Sequence, residues 1–418
     1  AENKDGANRI SLVKMYYDTL SNVDTTEETY FGAAIPKTLT ATFDGVGNRT
    51  SVTYPGGRVI SYDFDDVNRI TTVREDILNI TTYVWAGQRV AKRTHSNTLY
   101  QENTYDGVKR VIIFANKDTL GGNVATFEYA YDKAHNKKYE KRVHTSNGDV
   151  YRYDGIYQVT GTKYNVPASE LDPNKTYDMY GVWSRQETIE YDGVGNRTQM
   201  EDIPGGVGNT VTYYYNRPAG GGFYVPDPVN RIYRTRKKIQ DLDPPDPGVD
   251  TNRSHDANGN LTNDGSYAYK YDYKNEQMET VGHETQNYNA FGMRIVRVAD
   301  GVTTYYYLDG PRAVEEQTSA GTTLATNVFG ASIDEILQVK RSGVAYYASQ
   351  QALGSVVNWS NASGSTIETI NYTTFGIPTY TGSPTPSTSA ISPYAFTGRE
   401  WDFTITSKSG STYSRARD

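Results

Sequence analysis

The chain has no cysteine among its 418 residues. This absence excludes disulfide bonds, thiolate zinc sites and cysteine nucleophiles. No stretch approaches the roughly 18 apolar residues of a membrane-spanning helix. The polar opening, Ala1 to Asp5, is not a signal peptide, so we expect that a signal was removed or that the chain is part of something longer. Helical patterning is also nearly absent, and we expect strand ladders and packing to supply the stability.

Signatures of catalysis are missing as well. The five histidines, His95, His135, His144, His255 and His283, do not have the spacing of a metal-binding helix. The chain contains no Gly-x-Ser-x-Gly nucleophile elbow. Its glycine-rich string at 205–208 lacks the lysine of a phosphate-binding loop. The sequence therefore predicts no catalytic residue, no cofactor-binding residue, no metal site and no cofactor, and we expect a protein that is not an enzyme.

Two acidic patterns still require interpretation. Asp256 to Asn260 resembles the start of a calcium loop, but its glycine comes at the fourth position instead of the sixth, which favours a simple turn. Glu315-Glu316 and Asp65-Asp66 are adjacent carboxylates of the kind that hydrolyse glycosides. Neighbours in a strand point to opposite faces, so adjacency is poor support for a catalytic pair.

Tyrosine is abundant, with 37 Tyr against 11 Phe and 4 Trp. Tyrosine favours strands and combines an apolar ring with a polar tip, which suits a sheet with one dry and one wet face. The 38 glycines supply many turns. Net charge is -7 with both signs interspersed, which disfavours nucleic-acid binding because that usually needs a basic face.

A short string repeats along the chain. Phe43–Thr50 returns almost letter for letter as Tyr191–Thr198. A fixed unit that recurs predicts a repeat architecture rather than several unrelated domains. The nine best copies are Phe43–Thr50, Tyr62–Ile70, Tyr105–Arg110, Tyr131–Lys138, Tyr153–Thr160, Tyr191–Thr198, His255–Thr262, Tyr271–Met278 and Tyr288–Ile295.

Each unit predicts a strand, a turn and a return strand. The aromatic residue ends one strand, and the Asp carboxylate accepts a backbone N–H two residues on. Gly-Asn supplies the positions that tolerate positive φ. Arg-Thr or Arg-Ile then begins the next strand.

Two segments interrupt the repeats. Residues 218–250 are rich in Pro and Gly, which predicts a long loop insertion, and the basic residues at 234–238 within it indicate a solvated face. Thr381–Ser392 is rich in Ser, Thr and Pro and also reads as a loop. Ser332–Val339 is compatible with a short helix or a strand.

These repeats resemble the YD repeats of RHS-type proteins, which are named after the Tyr-Asp pair. The part from Tyr288 to Arg417 resembles the core segment that ends the RHS repeat region. The strings that carry this second resemblance, in order, are Tyr288–Arg294, Tyr305–Gly310, Val314–Glu316, Phe329-Gly330, Ile333–Glu335, Tyr346-Tyr347, Leu353–Val356, Tyr372–Gly376, Phe396–Glu400 and Tyr413–Arg417.

The resemblance implies an all-β fold in which a continuous antiparallel hairpin ribbon spirals into a hollow or open shell with very little helix. Residues 1–287 would form the YD-repeat ribbon with its insertion at 218–250, and residues 288–418 would continue the same wall. Family members often carry a self-cleaving segment with Asp-Pro-x-Gly strings after the Arg-Ala-Arg motif. Here that motif is followed by Asp418, so we do not expect self-cleavage within this chain.

Three functions are open at this point. The first is a secreted or cell-surface bacterial structural protein that self-associates through its ribbon ends into filaments or adhesive arrays. The second is the shell of a polymorphic toxin that encapsulates a C-terminal payload, as the family resemblance implies. The third is a carbohydrate-binding surface, because rows of aromatic rings can stack on sugars. We expect no nucleic-acid partner and no membrane span.

Overall fold

The computed structural model describes residues 2–5, 8–30, 36–204, 208–214, 216–220, 223–226, 231–239, 248–332, 334–382, 391–402 and 411–412. Nearly all regular structure in these residues is strand. Three helical turns of three residues each accompany the strands, at Val143–Thr145, Tyr177–Met179 and Phe396–Gly398. The prediction of an all-β fold with very little helix is confirmed.

Strands β1 to β18 follow one another as a meander. Their bounds are β1 Glu2–Asp5, β2 Asn8–Tyr17, β3 Val23–Tyr30, β4 Lys37–Phe43, β5 Arg49–Thr53, β6 Val59–Phe64, β7 Ile70–Glu75, β8 Leu78–Ala86, β9 Arg89–His95, β10 Tyr100–Tyr105, β11 Val111–Lys117, β12 Asn123–Tyr131, β13 Lys137–Arg142, β14 Asn147–Tyr153, β15 Val159–Pro167, β16 Arg185–Tyr191, β17 Arg197–Pro204 and β18 Asn209–Tyr214.

The remaining strands complete the described part of the chain. Their bounds are β19 Asn216–Gly220, β20 Phe223–Pro226, β21 Arg234–Ile239, β22 Val249–Asn252, β23 Ser254–His255, β24 Leu261–Asn263, β25 Tyr269–Tyr271, β26 Gln277–Thr280, β27 Glu284–Tyr288, β28 Arg294–Ala299, β29 Val302–Asp309, β30 Arg312–Gln317, β31 Thr323–Phe329, β32 Ile336–Arg341, β33 Val344–Gln350, β34 Val356–Ser360, β35 Thr366–Tyr372, β36 Pro378–Gly382, β37 Trp401–Asp402 and β38 Ser411–Thr412.

The repeated turn has the same hydrogen bonds in copy after copy. At Asp44 one carboxylate oxygen accepts the backbone N–H groups of Val46 and Asn48, at 3.0 and 2.8 Å. The other oxygen accepts the Asn48 side-chain amide at 2.8 Å. These bonds, led by the one from the Asn48 side chain, lower the pKa of Asp44. The carboxylate thus closes the turn twice, two and four residues on, where the sequence predicted only the first contact.

The left-handed position of the turn is the residue before the Asn. Gly47 has φ 88° and Gly195 has φ 87°, a conformation that glycine adopts without steric cost. Asn48 and Asn196 instead use their side chains on the preceding carboxylates. The prediction that Gly and Asn both supply positive φ was therefore wrong for the Asn of these copies.

The tyrosine before the Asp ties each hairpin to the one before it. The hydroxyl of Tyr105 donates to the Val90 carbonyl at 3.0 Å, and that of Tyr153 donates to the Lys137 carbonyl at 3.0 Å. Tyr191 donates to Val159 in the same way, at 2.9 Å. The ring packs while the hydroxyl meets an acceptor, which explains why Tyr rather than Phe dominates this position.

The chain divides into two compact units. Unit 1 consists of Ala1–Ala125 and Gly282–Asp418, and unit 2 consists of Thr126–Val281. In each unit the consecutive strands pair antiparallel, as in the hairpins β4–β5 and β16–β17. The division at residue 287 that the sequence predicted stays a prediction.

The core of unit 1 joins its two chain stretches. We call β3 to β11 the early strands and β28 to β36 the late strands. Buried apolar side chains of both sets form one cluster, with Val52, Ile60 and Val73 from the early strands and Leu337 and Trp359 from the late strands. Two sheets that each have one apolar face bury those faces against each other.

Unit 2 has a smaller core of its own. Val150, Val166, Tyr177 and Tyr180 are buried together there. Tyr177 and Tyr180 belong to the connection between β15 and β16. The Lys163 ammonium lies 4.6 Å from the Tyr177 ring and 4.4 Å from the Trp183 ring, so cations and rings fix this connection to the sheet.

The segment 218–250 is not wholly a loop. Strand β21, Arg234–Ile239, pairs with β18 on one side and with β22 on the other. Arg234 and Arg236 both bind Asp250 across the β21–β22 pair, at 3.2 and 2.6 Å. The basic residues therefore occupy a strand instead of a loop, and opposite charges across the strand pair stabilise it. Lys237 and Lys238 are exposed in this strand, in agreement with the predicted solvated face.

Three further expectations have different outcomes. Ser332–Val339 was compatible with helix or strand, and it contributes to strand β32. Residues 383–390 of the second predicted loop lie outside the described residues, as does the Tyr413–Arg417 string.

Glu315 and Glu316 have separate partners, Thr323 at 2.6 Å and Arg341 at 3.1 Å, as expected for neighbours on opposite faces of a strand.

Candidate functional site

The described stretch 391–402 packs into unit 1 with several of its side chains buried, and we call it the C-terminal segment. Tyr394 and Ala395 are both 0% exposed, and Trp401 is 7% exposed. The segment forms hardly any strand of its own, so its burial does not follow from the ribbon. A non-repetitive stretch held inside a repeat wall is the feature of this fold that most needs a functional explanation.

Hydrogen bonds of backbone and side-chain groups hold this segment on the late strands. The Val356 N–H donates to the Ala395 carbonyl at 3.0 Å. The Thr397 N–H donates to the Ser355 hydroxyl at 2.9 Å, and the Arg341 guanidinium donates to the Ile391 carbonyl at 3.0 Å. These contacts fix the segment at Ile391, Ala395 and Thr397.

Close packing also fixes the turn at Gly398. Its φ is 70°, and a Cβ at this position would overlap the carbonyl oxygen of Asp334. The Phe396 ring packs against the Tyr372 ring, with centroids 5.5 Å apart. The Phe396–Glu400 string of the sequence therefore forms a tight turn that packs closely against its neighbours in unit 1.

A buried ion pair fastens the end of the segment. The Arg294 guanidinium contacts the Glu400 carboxylate at 2.6 Å, with the two side chains 2% and 8% exposed. The Tyr394 hydroxyl lies 3.3 Å from the same carboxylate, and the Arg294 guanidinium lies 5.1 Å from the Tyr306 ring centroid. The cavity beside the pair has room for about one water molecule. The arrangement is built to hold the chain, since both charges are paired and enclosed.

This pair unites sequence strings that lie more than a hundred residues apart. Arg294 ends the Tyr288–Arg294 string, Tyr306 lies in the Tyr305–Gly310 string, and Glu400 ends the Phe396–Glu400 string. The sequence indicated these strings as family features but assigned no role to any residue in them. Their convergence is visible only once the late strands are folded.

Polar contacts also fasten the early strands to the late strands. Arg93, which is 2% exposed, contacts Glu335 at 2.5 Å. The Tyr54 hydroxyl donates to the Asn327 carbonyl at 2.8 Å, and the Gly56 N–H donates to Glu315 at 2.7 Å. The interior of unit 1 is therefore polar as well as apolar, and its polar groups specify how the two sets of strands fit together.

Two buried acids in this interior lack a cationic partner within the described residues. Burial raises the pKa of Glu28 to about 7, against the hydrogen bond from the Tyr30 hydroxyl, which lies 2.5 Å away. Burial also raises the pKa of Glu368 to about 7, although the neighbouring Ile391 backbone opposes the shift. Glu368 is 1% exposed, and neither of its oxygens has a hydrogen bond of normal geometry. Its protonated form is the one that suits this site.

We expect Glu368 to lower the stability of unit 1 as the pH rises from about 5 to about 7. The folded state keeps the Glu368 proton that the unfolded chain releases near its ordinary pKa of 4.5. The contribution of this acid to the free energy of unfolding therefore falls by about 3 kcal/mol through this window and levels off above it, while buried His95, whose pKa is lowered, acts in the opposite direction. Urea unfolding measured between about pH 5 and about pH 8 checks this expectation.

Glu368→Gln is the decisive variant, because its neutral amide removes this source of pH dependence. Glu75→Gln is the matched control. Burial acts against it, but Arg58 and Lys340 hold the pKa of Glu75 below its ordinary value, so it stays ionised throughout the window. A loss of stability with rising pH that is as large in Glu368→Gln as in the native chain would contradict the expectation.

His95, His144 and Asp256, for which the sequence predicted no catalytic or metal-binding role, make contacts within the fold. His95 is buried, lies 2.8 Å from the Thr81 hydroxyl, and has its pKa lowered by burial. His144 lies against the Thr126 backbone at 3.1 Å. Asp256 accepts the N–H groups of Asn258 and Asn260, which is the turn that the sequence predicted. Within the described residues no group of three or more His, Asp or Glu side chains is arranged to hold a metal ion.

Comparison with known families now gives the repeat its name. The RHS Repeat family matches residues 43–76, which hold the turns at Asp44 and Asp65. Residues 43–76 are an RHS repeat, and the resemblance of the repeats that the sequence predicted is confirmed there. The resemblance of Tyr288 to Arg417 to the core segment lies outside this match.

Solved structures share the fold. A crystal structure of TcdB2-TccC3 superposes with a TM-score of 0.68 at 14% identity, covering 92% of this chain and 21% of that one. A structure of the Photorhabdus luminescens Tc holotoxin pore gives a TM-score of 0.64 at 13% identity, with 94% and 21% coverage. The chain therefore shares the fold of these proteins, and it spans about a fifth of their length.

Curated relatives match over a shorter stretch. The tRNA3(Ser)-specific nuclease WapA of Bacillus spizizenii is 26% identical over 198 residues, which is 46% of this chain and 8% of that protein. The tRNA nuclease WapA of Bacillus subtilis is 25% identical over 198 residues, again 46% of this chain and 8% of that protein. The chain thus spans less than a tenth of the length of these relatives.

Proposed function

We propose that the chain forms part of the shell of a polymorphic toxin and encloses a payload carried on its C-terminal side. The burial of the C-terminal segment is the observation that carries this proposal. A payload that follows a stretch fixed inside the wall starts its path from the inside of unit 1. The paired Arg294 and Glu400 keep that starting point in place.

The names of the relatives support the same proposal. The WapA proteins are named as tRNA nucleases, and the solved relatives are named as components of toxin complexes. The WapA proteins match this chain in its repeat sequence, and the toxin-complex components match it in fold. The likeness therefore concerns the repeat wall and not a catalytic part. These names favour the toxin-shell hypothesis over filaments and adhesive arrays, which the sequence alone placed first.

Other expectations accompany the proposal. We expect the wall itself to have no enzymatic activity, and we expect it to act outside the cell or at the cell surface of a bacterium. No helix in the described residues is long and apolar enough to cross a membrane. Glycan binding and self-association stay predictions, and the payload proposal requires neither.

A protease-protection experiment tests the proposal. One fusion carries a protease site and an epitope after Asp418, and its matched partner carries the same insert before Ala1. We expect the C-terminal site to be cut at least about tenfold more slowly in the native protein, because cleavage follows the population of open states. The two sites should be cut equally fast in urea. Equal rates in the native protein would contradict the proposal.

A further inference from the structure

Strand β29 extends beyond its pairing with the neighbouring strand β28. The pairing covers β29 from Val302 to Tyr305, and residues 306–309 continue past it. Backbone groups of alternate residues point to the same edge of a strand, so the Tyr306 carbonyl and the Leu308 N–H face the same way. Both residues are only 8% exposed, and buried backbone groups of this kind require hydrogen-bond partners.

Two side chains of the early strand β3 supply these partners. The Tyr30 hydroxyl lies 2.7 Å from the Tyr306 carbonyl oxygen, and the Leu308 N–H donates to the Glu28 carboxyl group at 3.4 Å. Glu28 and Tyr30 stand two residues apart, so their side chains lie on the same face of β3. They are 5% and 3% exposed. We call the contact of Glu28 and Tyr30 with Tyr306 and Leu308 the seam.

The distances at the seam require one more proton than the Tyr30 hydroxyl can supply. Its oxygen lies 2.7 Å from the Tyr306 carbonyl oxygen and 2.5 Å from the Glu28 carboxyl group. A tyrosine hydroxyl has one proton, and a carbonyl oxygen can only accept. If the hydroxyl donates to Tyr306, the proton in the short contact with Glu28 comes from Glu28 itself. Both contacts therefore exist together only when Glu28 is a neutral acid.

Ionisation of Glu28 removes this arrangement. The carboxylate and the Tyr306 carbonyl then compete for the single proton of Tyr30, and one of the two contacts is lost. A charge at this place is also buried without a cation, which is costly. Burial raises the pKa of Glu28 to about 7, in agreement with the count of protons.

The tyrosines of the seam do not share this titration. Tyr305 and Tyr307 of β29 stack on the Tyr30 ring, with centroids 6.1 and 5.2 Å away. Burial raises the pKa of all three hydroxyls above the ordinary value of 10.0. They therefore stay neutral while Glu28 changes its charge.

The neighbouring strands bring one cation and one acid near the seam. Across β3, Glu28 stands opposite the apolar Val13 of β2 and opposite Lys37 of β4. The Lys37 ammonium lies beside Gly321 in the turn after β30, and no ion pair joins it to Glu28 in the described part of the chain. Glu315 of β30 accepts a backbone N–H from the turn after β5 at 2.7 Å. Neither charged side chain bonds to the Glu28 carboxyl group.

The seam adjoins the ion pair that fastens the C-terminal segment. The Tyr306 ring centroid lies 5.1 Å from the Arg294 guanidinium, which binds Glu400. Tyr306 and Leu308 also line the cavity beside this pair. Displacement of these two residues admits water to the pair, and water weakens the attraction between its charges.

We propose that Glu28 is a pH-dependent latch of unit 1, which closes the seam while it carries its proton and opens the seam when rising pH removes that proton. The open seam loosens the C-terminal segment through Tyr306 and Arg294. In a toxin shell the latch sets how firmly the start of the payload is held. That consequence rests on the proposed function, whereas the latch itself does not.

The seam opens more readily as the pH rises. The closed seam keeps the Glu28 proton up to a pKa of about 7, whereas Glu28 in the open, hydrated seam releases it near the ordinary pKa of 4.5. The opening equilibrium therefore increases between about pH 5 and about pH 7, by up to about a hundredfold, and levels off above this window.

Hydrogen exchange of the native chain and of Glu28→Gln, compared at the same pH, tests the proposal. The glutamine amide donates to Tyr30 as the neutral acid does, and it does not ionise. In peptides that cover residues 306–309 and 391–402, the two proteins should exchange at similar rates at about pH 5. At about pH 7.5 the native chain should exchange at least about tenfold faster in both peptides.

Glu27→Gln is the matched control, because Glu27 is the next residue on the same strand and pairs with Lys14 at the surface. It should exchange as the native chain does at both pH values. Tyr30→Phe keeps the stacked ring but removes the hydroxyl, so residues 306–309 should exchange faster than in the native chain already at about pH 5. Glu368→Gln should keep the native response of residues 306–309, since Glu368 lies in β35.

Urea unfolding first shows that each variant is folded. A rise of exchange with pH that is as large in Glu28→Gln as in the native chain overturns the proposal. Exchange of Tyr30→Phe that is as slow as in the native chain at about pH 5 also overturns it. Both experiments use the chain without a payload, so a failed protease-protection experiment removes the toxin-shell consequence and leaves the latch in place.

Discussion

Arg294→Ala is expected to lower the free energy of unfolding of unit 1 by about 3–5 kcal/mol. The substitution leaves the Glu400 side chain, which is 8% exposed, buried without its cation. Breaking one side of a buried pair costs more than the pair contributes when intact, because the remaining charge loses solvation without compensation. Urea unfolding at fixed pH measures the loss.

Two further variants serve as controls for this result. Arg74→Ala removes a pair with Asp63 in which the side chains are 39% and 40% exposed, and it should cost no more than about 1 kcal/mol. Arg294→Met combined with Glu400→Gln removes both charges and should be more stable than Arg294→Ala alone. If Arg294→Ala is no more harmful than Arg74→Ala, the pair does not fasten the C-terminal segment.

Trp359→Ala is expected to destabilise unit 1 by about 3–5 kcal/mol as well, for a different reason. The side chain is 0% exposed in the cluster that joins early and late strands. Its ring N–H has no hydrogen-bond acceptor within the described residues, so the loss comes from packing and from the cavity left behind. The midpoint of urea unfolding should fall while the slope stays unchanged.

The control for packing is Leu120→Ala. Leu120 is 94% exposed, and surface changes of this kind usually stay within about 0.5 kcal/mol. Trp359→Phe keeps most of the buried apolar surface and should fall between the two. A Trp359→Ala variant as stable as Leu120→Ala would mean that early and late strands do not share one core.

The local structure followed from the sequence because it rests on contacts between near neighbours. The Asp of each repeat reaches backbone groups two and four residues on, so the turn at Asp192 can be predicted without knowledge of the rest of the fold. The strands on either side follow from Tyr, Thr and Ile. The same reasoning failed at β21, where a proline-rich context concealed strand residues whose arginines find Asp250 in the next strand.

The site did not follow from the sequence because it depends on contacts across long separations. Arg294 and Glu400 are 106 positions apart, and Arg93 and Glu335 are 242 apart. The sequence of a repeat does not indicate which other copy it packs against. The partner of a buried charge therefore cannot be predicted from the repeat that contains that charge. The one available signal was the break in the repeat near the end of the described chain, where Tyr394, Phe396 and Trp401 follow a polar stretch.

Hydrogen exchange of the C-terminal segment in the native chain tests the central claim most directly. The amides of Ala395, Thr397 and Trp401 bond to Arg399, Ser355 and Pro393, and all three lie in the buried segment. We predict that they exchange as slowly as the amides of strand β34 in the unit 1 core. Exchange as fast as that of the exposed turn at 106–110 would contradict the account, because the segment would then not be held inside the wall.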